Sequence, residues 1–206
     1  MSFPRQFYLE GGLYLAAYRD ALFEAWRSLD QDAATRAADM LATAIRGGQT
    51  VFACGNGGSA AIANHLHCDF VKGVQTDTEL QPRVISLSSH LELITAIAND
   101  IAYADVFLYQ LRTMARPRDV LLTISSSGNS ENIVRAIDWA RANRVTSIAL
   151  TGFDGGRSAG LADINLHVRA ANYGVVEDVH QSLMHSLAQY LRQRAMPAEL
   201  IAERRF

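Results

Sequence analysis

Only two of the 206 residues are cysteine, Cys54 and Cys68. Two thiols are too few for a disulfide framework or a cysteine-based zinc site, and they fit a reduced, cytoplasmic setting. Lysine is nearly absent: Lys72 stands against 18 arginines, a skew that reads as GC-rich coding rather than function. An isolated lysine also excludes a Walker-type phosphate loop. Charge of one sign is lacking, since the formal net charge is −2. A dedicated nucleic-acid or membrane-surface binder would show a basic excess, so neither partner is expected. No apolar run reaches the roughly 18 residues of a membrane span. The start, MSFPRQFYLEGG, has no apolar stretch of the signal-peptide kind. Low-complexity segments and solenoid-type repeats are missing too. What remains is 49% hydrophobic and 19% charged, the balance of an ordinary globular chain. At this length one domain, residues 1–206, is expected. It can bury about 70% of its unfolded surface without a staple.

Residues 13–46 read as helical, with apolar side chains at three- and four-residue steps (Leu22, Trp26, Leu29, then Ala37, Met40, Leu41, Ile45) until Gly47 and Gly48 stop them. Short apolar strands then alternate with helices. Strands are expected at 50–54, 83–87, 119–124, 146–150 and 162–167. Helices are expected at 59–71, 91–98, 106–114, from 131 to about 142, and at 177–194. Alternation of this kind implies βαβ units: a three-layer α/β/α sandwich around a five-stranded parallel sheet, flavodoxin-like, with a helical N-terminal extension. Residues 1–47 form that extension, 48–195 the α/β core and 196–206 a tail beginning near Pro197.

In such sheets ligands bind beyond the carboxyl ends of the strands. Two glycine- and serine-rich turns lie there. The first is Gly55-Asn56-Gly57-Gly58-Ser59 and the second Ser125-Ser126-Ser127-Gly128-Asn129-Ser130. Glycine lets a ligand approach the main chain, and the helix that follows offers free N–H groups to an anion. Either turn alone could be a plain N-cap cluster. Together, at one sheet edge, they point to a phosphate held without lysine or arginine. The first turn also fits the dinucleotide fingerprint, but the strand ending Leu87-Ser88-Ser89 carries no acid for a ribose, which argues against that cofactor.

His65 and Asp69 lie four apart on an expected helix and share a face, as do Glu177, Gln181 and His185 on the last one. Brought together, the histidines and carboxylates would make a four-ligand N/O site suited to zinc; apart, each set is an ordinary surface or capping pair. His180 lies off that face and is expected to line the pocket. His67, His90 and His167 read as structural or bland, and Cys68 as packed.

The turn sequences CGNGGS and SSSGNS, so placed, resemble a sugar isomerase (SIS) domain of the phosphoheptose isomerase family. The resemblance covers nearly the whole chain, including Asn99-Asp100, Leu150-Thr151-Gly152 with Asp154-Gly-Gly, and the closing helix. It implies an aldose–ketose isomerase acting on a sugar phosphate through an ene-diol(ate), with Asp69 as base and His185 as acid. It also implies a zinc ion held by His65, Asp69, Glu177 and His185. Ser59, Ser125, Ser127 and Ser130 would hold phosphate. Asn56, Gly57, Gly58, Asn99, Asp100, Ser126 and Glu177 would meet the rest of the sugar, and Lys72, one turn past Asp69, could touch substrate or end a solvated helix. Two positions depart from the family: its acid is Glu where Asp69 stands, and Glu177 replaces a Gln. The base role could therefore move onto Glu177, or the sugar could differ. The family's last helix reaches a neighbouring subunit, so a homotetramer with sites between chains is expected, packed through the N-terminal helices. A competing reading is a non-catalytic SIS protein that binds a partner such as the replication initiator DnaA. A ligand-sensing module of a transcription regulator is a third, weakened because no DNA-binding segment precedes the domain.

Overall fold

The computed structural model describes residues 3–206. Two helices open the chain, α1 (Gly11–Arg27) and α2 (Gln31–Arg46). The helical region divides at Asp30, whose carboxylate accepts the Asp32 and Ala33 amides at 2.9 and 3.1 Å, a local N-cap stronger than continuing the helix. The core follows as β1 (Thr50–Gly55), α3 (Gly58–Cys68), β2 (Arg83–Ser86), α4 (Leu91–Asp100), α5 (Val106–Met114), β3 (Val120–Ser125), α6 (Glu131–Ala142), β4 (Thr146–Thr151), α7 (Gly156–Leu161), β5 (Ile164–His167) and α8 (Tyr173–Ala195).

All five strands are parallel, in the order β2-β1-β3-β4-β5. Side chains alternate across the strands. Val51, Ala53, Leu122, Ile148 and Leu150 face a core shared with α2, α3 and α8. Phe52, Cys54, Leu121 and Ala149 face the opposite core, built with α4, α5 and α6. The expected three-layer sandwich is therefore present. Each fully buried Leu, Ile or Phe of these cores stabilises the fold by roughly 1.5–3 kcal/mol.

Three local differences matter for the site. The helix expected over 59–71 starts at Gly58 and gives way at Asp69 to a π-helical turn, Asp69–Val74. The wider turn buries Phe70 and Val74 together against the core that α8 completes. The final helix starts at Tyr173, four residues earlier than its apolar pattern, because Asn172 caps the Val175 amide at 3.0 Å. The six-residue α7 is not among the expected helices; Gly155 and Gly156, both at positive φ, mask its start.

Candidate active site

The strand order reverses direction between β1 and β3, the switch point beyond whose carboxyl ends sheets of this kind bind ligands in a crevice. Both glycine- and serine-rich turns border it, the first leading into α3 and the second into α6. At neither helix does the capping residue's side chain bond the first amides: Gly57 has none, and Ser130 leaves its hydroxyl off them. Two sets of helix-start N–H groups thus remain for an anion. A reciprocal amide pair joins the turns. Asn56 Nδ2 donates to Asn132 Oδ1 and Asn132 Nδ2 donates to Asn56 Oδ1, each at 2.9 Å, and the Tyr103 hydroxyl adds a third bond to Asn56 Oδ1 at 2.9 Å. Asn132 and Tyr103 were not singled out from sequence; an asparagine within a helix and an exposed tyrosine carry no local signal.

The serines differ in availability. Ser59 is buried at the start of α3. Ser125 Oγ accepts the Gly128 amide at 3.2 Å, and Ser127 Oγ accepts the Asn129 amide at 3.3 Å. Ser126 Oγ is sealed from solvent without a partner, an orphan that a bound group or water would satisfy and not a hydroxyl presented at the surface. Asn99 and Asp100 end α4, exposed, and bond each other at 2.8 Å.

Farther along α3 and α8, Asp69 joins two histidines. His65 Nε2 lies 3.1 Å from Asp69 Oδ1, and His185 Nδ1 lies 2.7 Å from Asp69 Oδ2. Gln181 Nε2 is 2.9 Å from His185 Nε2. An amide N–H at that point makes Nε2 the acceptor and leaves Nδ1 to carry the proton toward Asp69. The two imidazole rings stand edge to face, 4.9 Å apart. The pair Asp69–His185 forms within one chain.

Glu177 departs from the expected metal set. It sits eight residues before His185, about 12 Å up the helix axis. There its carboxylate lies over Gly58, so close that a Cβ at Gly58 would meet Glu177 Oε2 at 2.3 Å. Burial first, and the Asp178 charge second, push the Glu177 carboxyl up from its ordinary value. Asp178 is itself held by the Tyr18 hydroxyl at 2.6 Å. His180, expected in the pocket, is instead wholly buried with Nε2 on the Thr151 carbonyl at 3.2 Å. Cys68, expected to pack, is exposed, and Lys72 lies exposed on the π turn. His167 has its Nδ1 3.1 Å from Thr151 Oγ1.

The SIS domain family matches residues 14–152. A phosphoheptose isomerase from Colwellia psychrerythraea is 40% identical over 161 residues, covering 77% of this chain and 82% of that protein. The chain belongs to the phosphoheptose isomerase branch of the SIS family. The structure of the phosphoheptose isomerase from Neisseria gonorrhoeae superposes with a TM-score of 0.79 at 32% identity, over 87% of this chain and 95% of the other. That from Francisella tularensis gives 0.79 at 29% identity, over 88% and 96%. Membership makes this chain a sugar-phosphate isomerase.

The family resemblance implied a metal, and the donor set can be tested for fit. His65, Asp69 and His185 bring ligand atoms within 4.8 Å of one another, two imidazoles and one carboxylate. That chemistry suits zinc with a position left open. Asp69, a methylene shorter than the family's glutamate, still spans both histidines. Gln181, not Glu177, stands beside them.

Proposed function

We propose that this isomerase interconverts sedoheptulose 7-phosphate and D-glycero-D-manno-heptose 7-phosphate. The observation that carries the reading is the 2.7 Å Asp69–His185 pair, which joins the end of α3, the helix that follows the first phosphate-type turn, to α8. The amides of α3 and α6, with Ser59, Ser125, Ser127 and Ser130, hold the phosphate, and that remote binding energy fixes the sugar. Asn56, Gly57, Gly58, Asn99, Asp100, Ser126 and Glu177 border the sugar. Asp69 removes the proton from the carbon beside the carbonyl and returns it to the neighbouring carbon. His185, with its proton on Nδ1 and an acceptor at Nε2, moves a proton between the two oxygens. His65, Asp69 and His185 would hold zinc, which supplies polarisation of a carbonyl when bound.

The exposed apolar side chains of α1, among them Leu13, Leu15, Phe23 and Trp26, support a homotetramer packed through the N-terminal helices. No helix of the described residues is long and apolar enough to cross a membrane. A cytoplasmic enzyme with a small-molecule substrate accords with this.

Proton NMR of sedoheptulose 7-phosphate with the purified protein in deuterated water tests the reading. An aldose anomeric signal, or deuterium at the carbon beside the carbonyl, is expected. Binding without exchange would move the substrate to another sugar phosphate; neither binding nor exchange would favour a scaffold.

A further inference from the structure

The second serine turn is fastened from behind by the segment that joins β4 to α7. The Gly152 amide donates to the Ser126 carbonyl at 2.9 Å. The Ser158 amide and the Ser158 hydroxyl both donate to the Gly128 carbonyl, at 2.9 and 2.8 Å. The Arg157 amide donates to Asn129 Oδ1 at 3.0 Å. Contact is tight as well: a Cβ on Gly128 would meet the Gly155 carbonyl oxygen at 2.0 Å, and one on Gly156 would meet the Ser127 carbonyl oxygen at 2.4 Å. Ser158 itself is 0% exposed.

A trans peptide is planar, so a carbonyl and the N–H of the next residue point in opposite directions. Holding the Ser126 carbonyl against Gly152 therefore turns the Ser127 N–H the other way, off the segment that joins β4 to α7. Holding the Gly128 carbonyl against Ser158 does the same for the Asn129 N–H. Among the described residues, the Ser127 amide has no acceptor in the chain. The Asn129 amide has only a 3.3 Å contact to Ser127 Oγ.

We propose that Ser158 is a positioning residue for anion recognition: its doubled bond to the Gly128 carbonyl aims the amides of the second turn at the substrate phosphate. This rests on the reading of that turn as the phosphate cradle. Ser158 never meets substrate, so its loss falls on binding and not on the proton-transfer step. Removing one hydroxyl donor to a carbonyl lowers anion affinity about two- to tenfold, the range of a single hydrogen bond.

The test compares the full-length protein with Ser158→Ala and Ser158→Cys, the latter close in shape with a weaker donor for use where alanine does not fold. Inorganic phosphate affinity is measured by calorimetry, KM and kcat with the sugar phosphate, and thermal unfolding beside them. The expected result is a two- to tenfold weaker phosphate affinity and a matching rise in KM, with kcat within about twofold of wild type. Wild-type phosphate affinity and KM in a folded variant would overturn the proposal. A fall in kcat with unchanged KM would also overturn it, by reducing Ser158 to a structural role. Failure of the wild-type protein itself to bind phosphate would overturn the cradle reading on which the proposal stands.

Discussion

Asn56 and Asn132, 76 residues apart, exchange two 2.9 Å amide hydrogen bonds and so tie the turn after β1 to the helix after β3 across the crevice. Asn132 is 2% exposed, so water cannot replace a lost partner. Asn132→Leu leaves the Asn56 amide facing an apolar side chain and is expected to cost about 1–3 kcal/mol. Thermal unfolding should fall by about 2–4 °C per kcal/mol for a chain of this size. KM for the sugar phosphate should rise with it, because the spacing of the two turns is released. An unchanged melting temperature would show that the pair contributes nothing.

Asp69→Asn and His185→Ala separate enzyme from scaffold. Proton transfer by a positioned side chain contributes about 10²- to 10⁴-fold, so kcat should drop by that range in either variant. Phosphate binding should persist, since the serine turns lie apart from both residues. Circular dichroism and inorganic phosphate titration check the fold and the cradle independently. Turnover at the wild-type rate in both variants would transfer the base role elsewhere, with Glu177 the first group to examine.

Zinc should stabilise the protein through His65, Asp69 and His185. A ligand that binds only the native state contributes about 2.7 kcal/mol at a hundredfold excess over its Kd. The melting temperature should therefore rise on zinc addition and return after chelation. His65→Ala removes one of the two imidazoles and should abolish the rise. An equal shift in that variant would place the ion elsewhere.

Burial holds the His180 imidazole down to about 4, from an ordinary value of 6.5. Between those two pH values the unfolded chain binds the extra proton, so protonation favours unfolding. The stability due to neutral His180 is complete above about pH 6.5 and is lost as pH falls toward 4. At 1.36 kcal/mol per unit, the 2.5-unit difference amounts to about 3 kcal/mol at the acid end. His180→Gln keeps an N–H for the Thr151 carbonyl and removes the titration. Its melting temperature should fall less steeply between pH 7 and 5 than that of the wild type, and parallel slopes would sink the assignment.

What could be read in the sequence was what is local. Strands such as Val120–Ser125 are largely apolar and buried throughout because both faces are covered, and each glycine–serine turn sits where a strand must become a helix. Asp69 and His185 lie 116 residues apart, and only the family resemblance linked them before the fold did. Glu177 was grouped with them by the family resemblance and by sharing a helix face with His185. Spacing fixes the face but not the height along the helix, and α3 passes α8 with Gly58, not Asp69, at the level of Glu177. Asn132 and Ser158 were missed for a related reason. A neutral side chain inside a helix looks the same whether it faces water or a functional turn, and only the partner across the gap distinguishes the two.

The second turn has arginines within reach but does not present them to a ligand. Arg157 Nη1 and Arg135 Nε are both bound to Glu131, at 2.6 and 3.0 Å, and Arg135 also holds Asp105 at 3.0 Å. Hydrogen bonds from Arg157 and then Arg135 keep the Glu131 carboxyl below its ordinary value, and their charge neutralises an anion that would otherwise stand at the mouth of α6. A phosphate there meets dipoles of short range instead of a net positive charge. Dipoles do not gather ions from a distance, and dissolved salt screens them little. Substrate capture in this enzyme should therefore be slow to feel ionic strength, and its choice among anions should follow the shape of the phosphate rather than its charge.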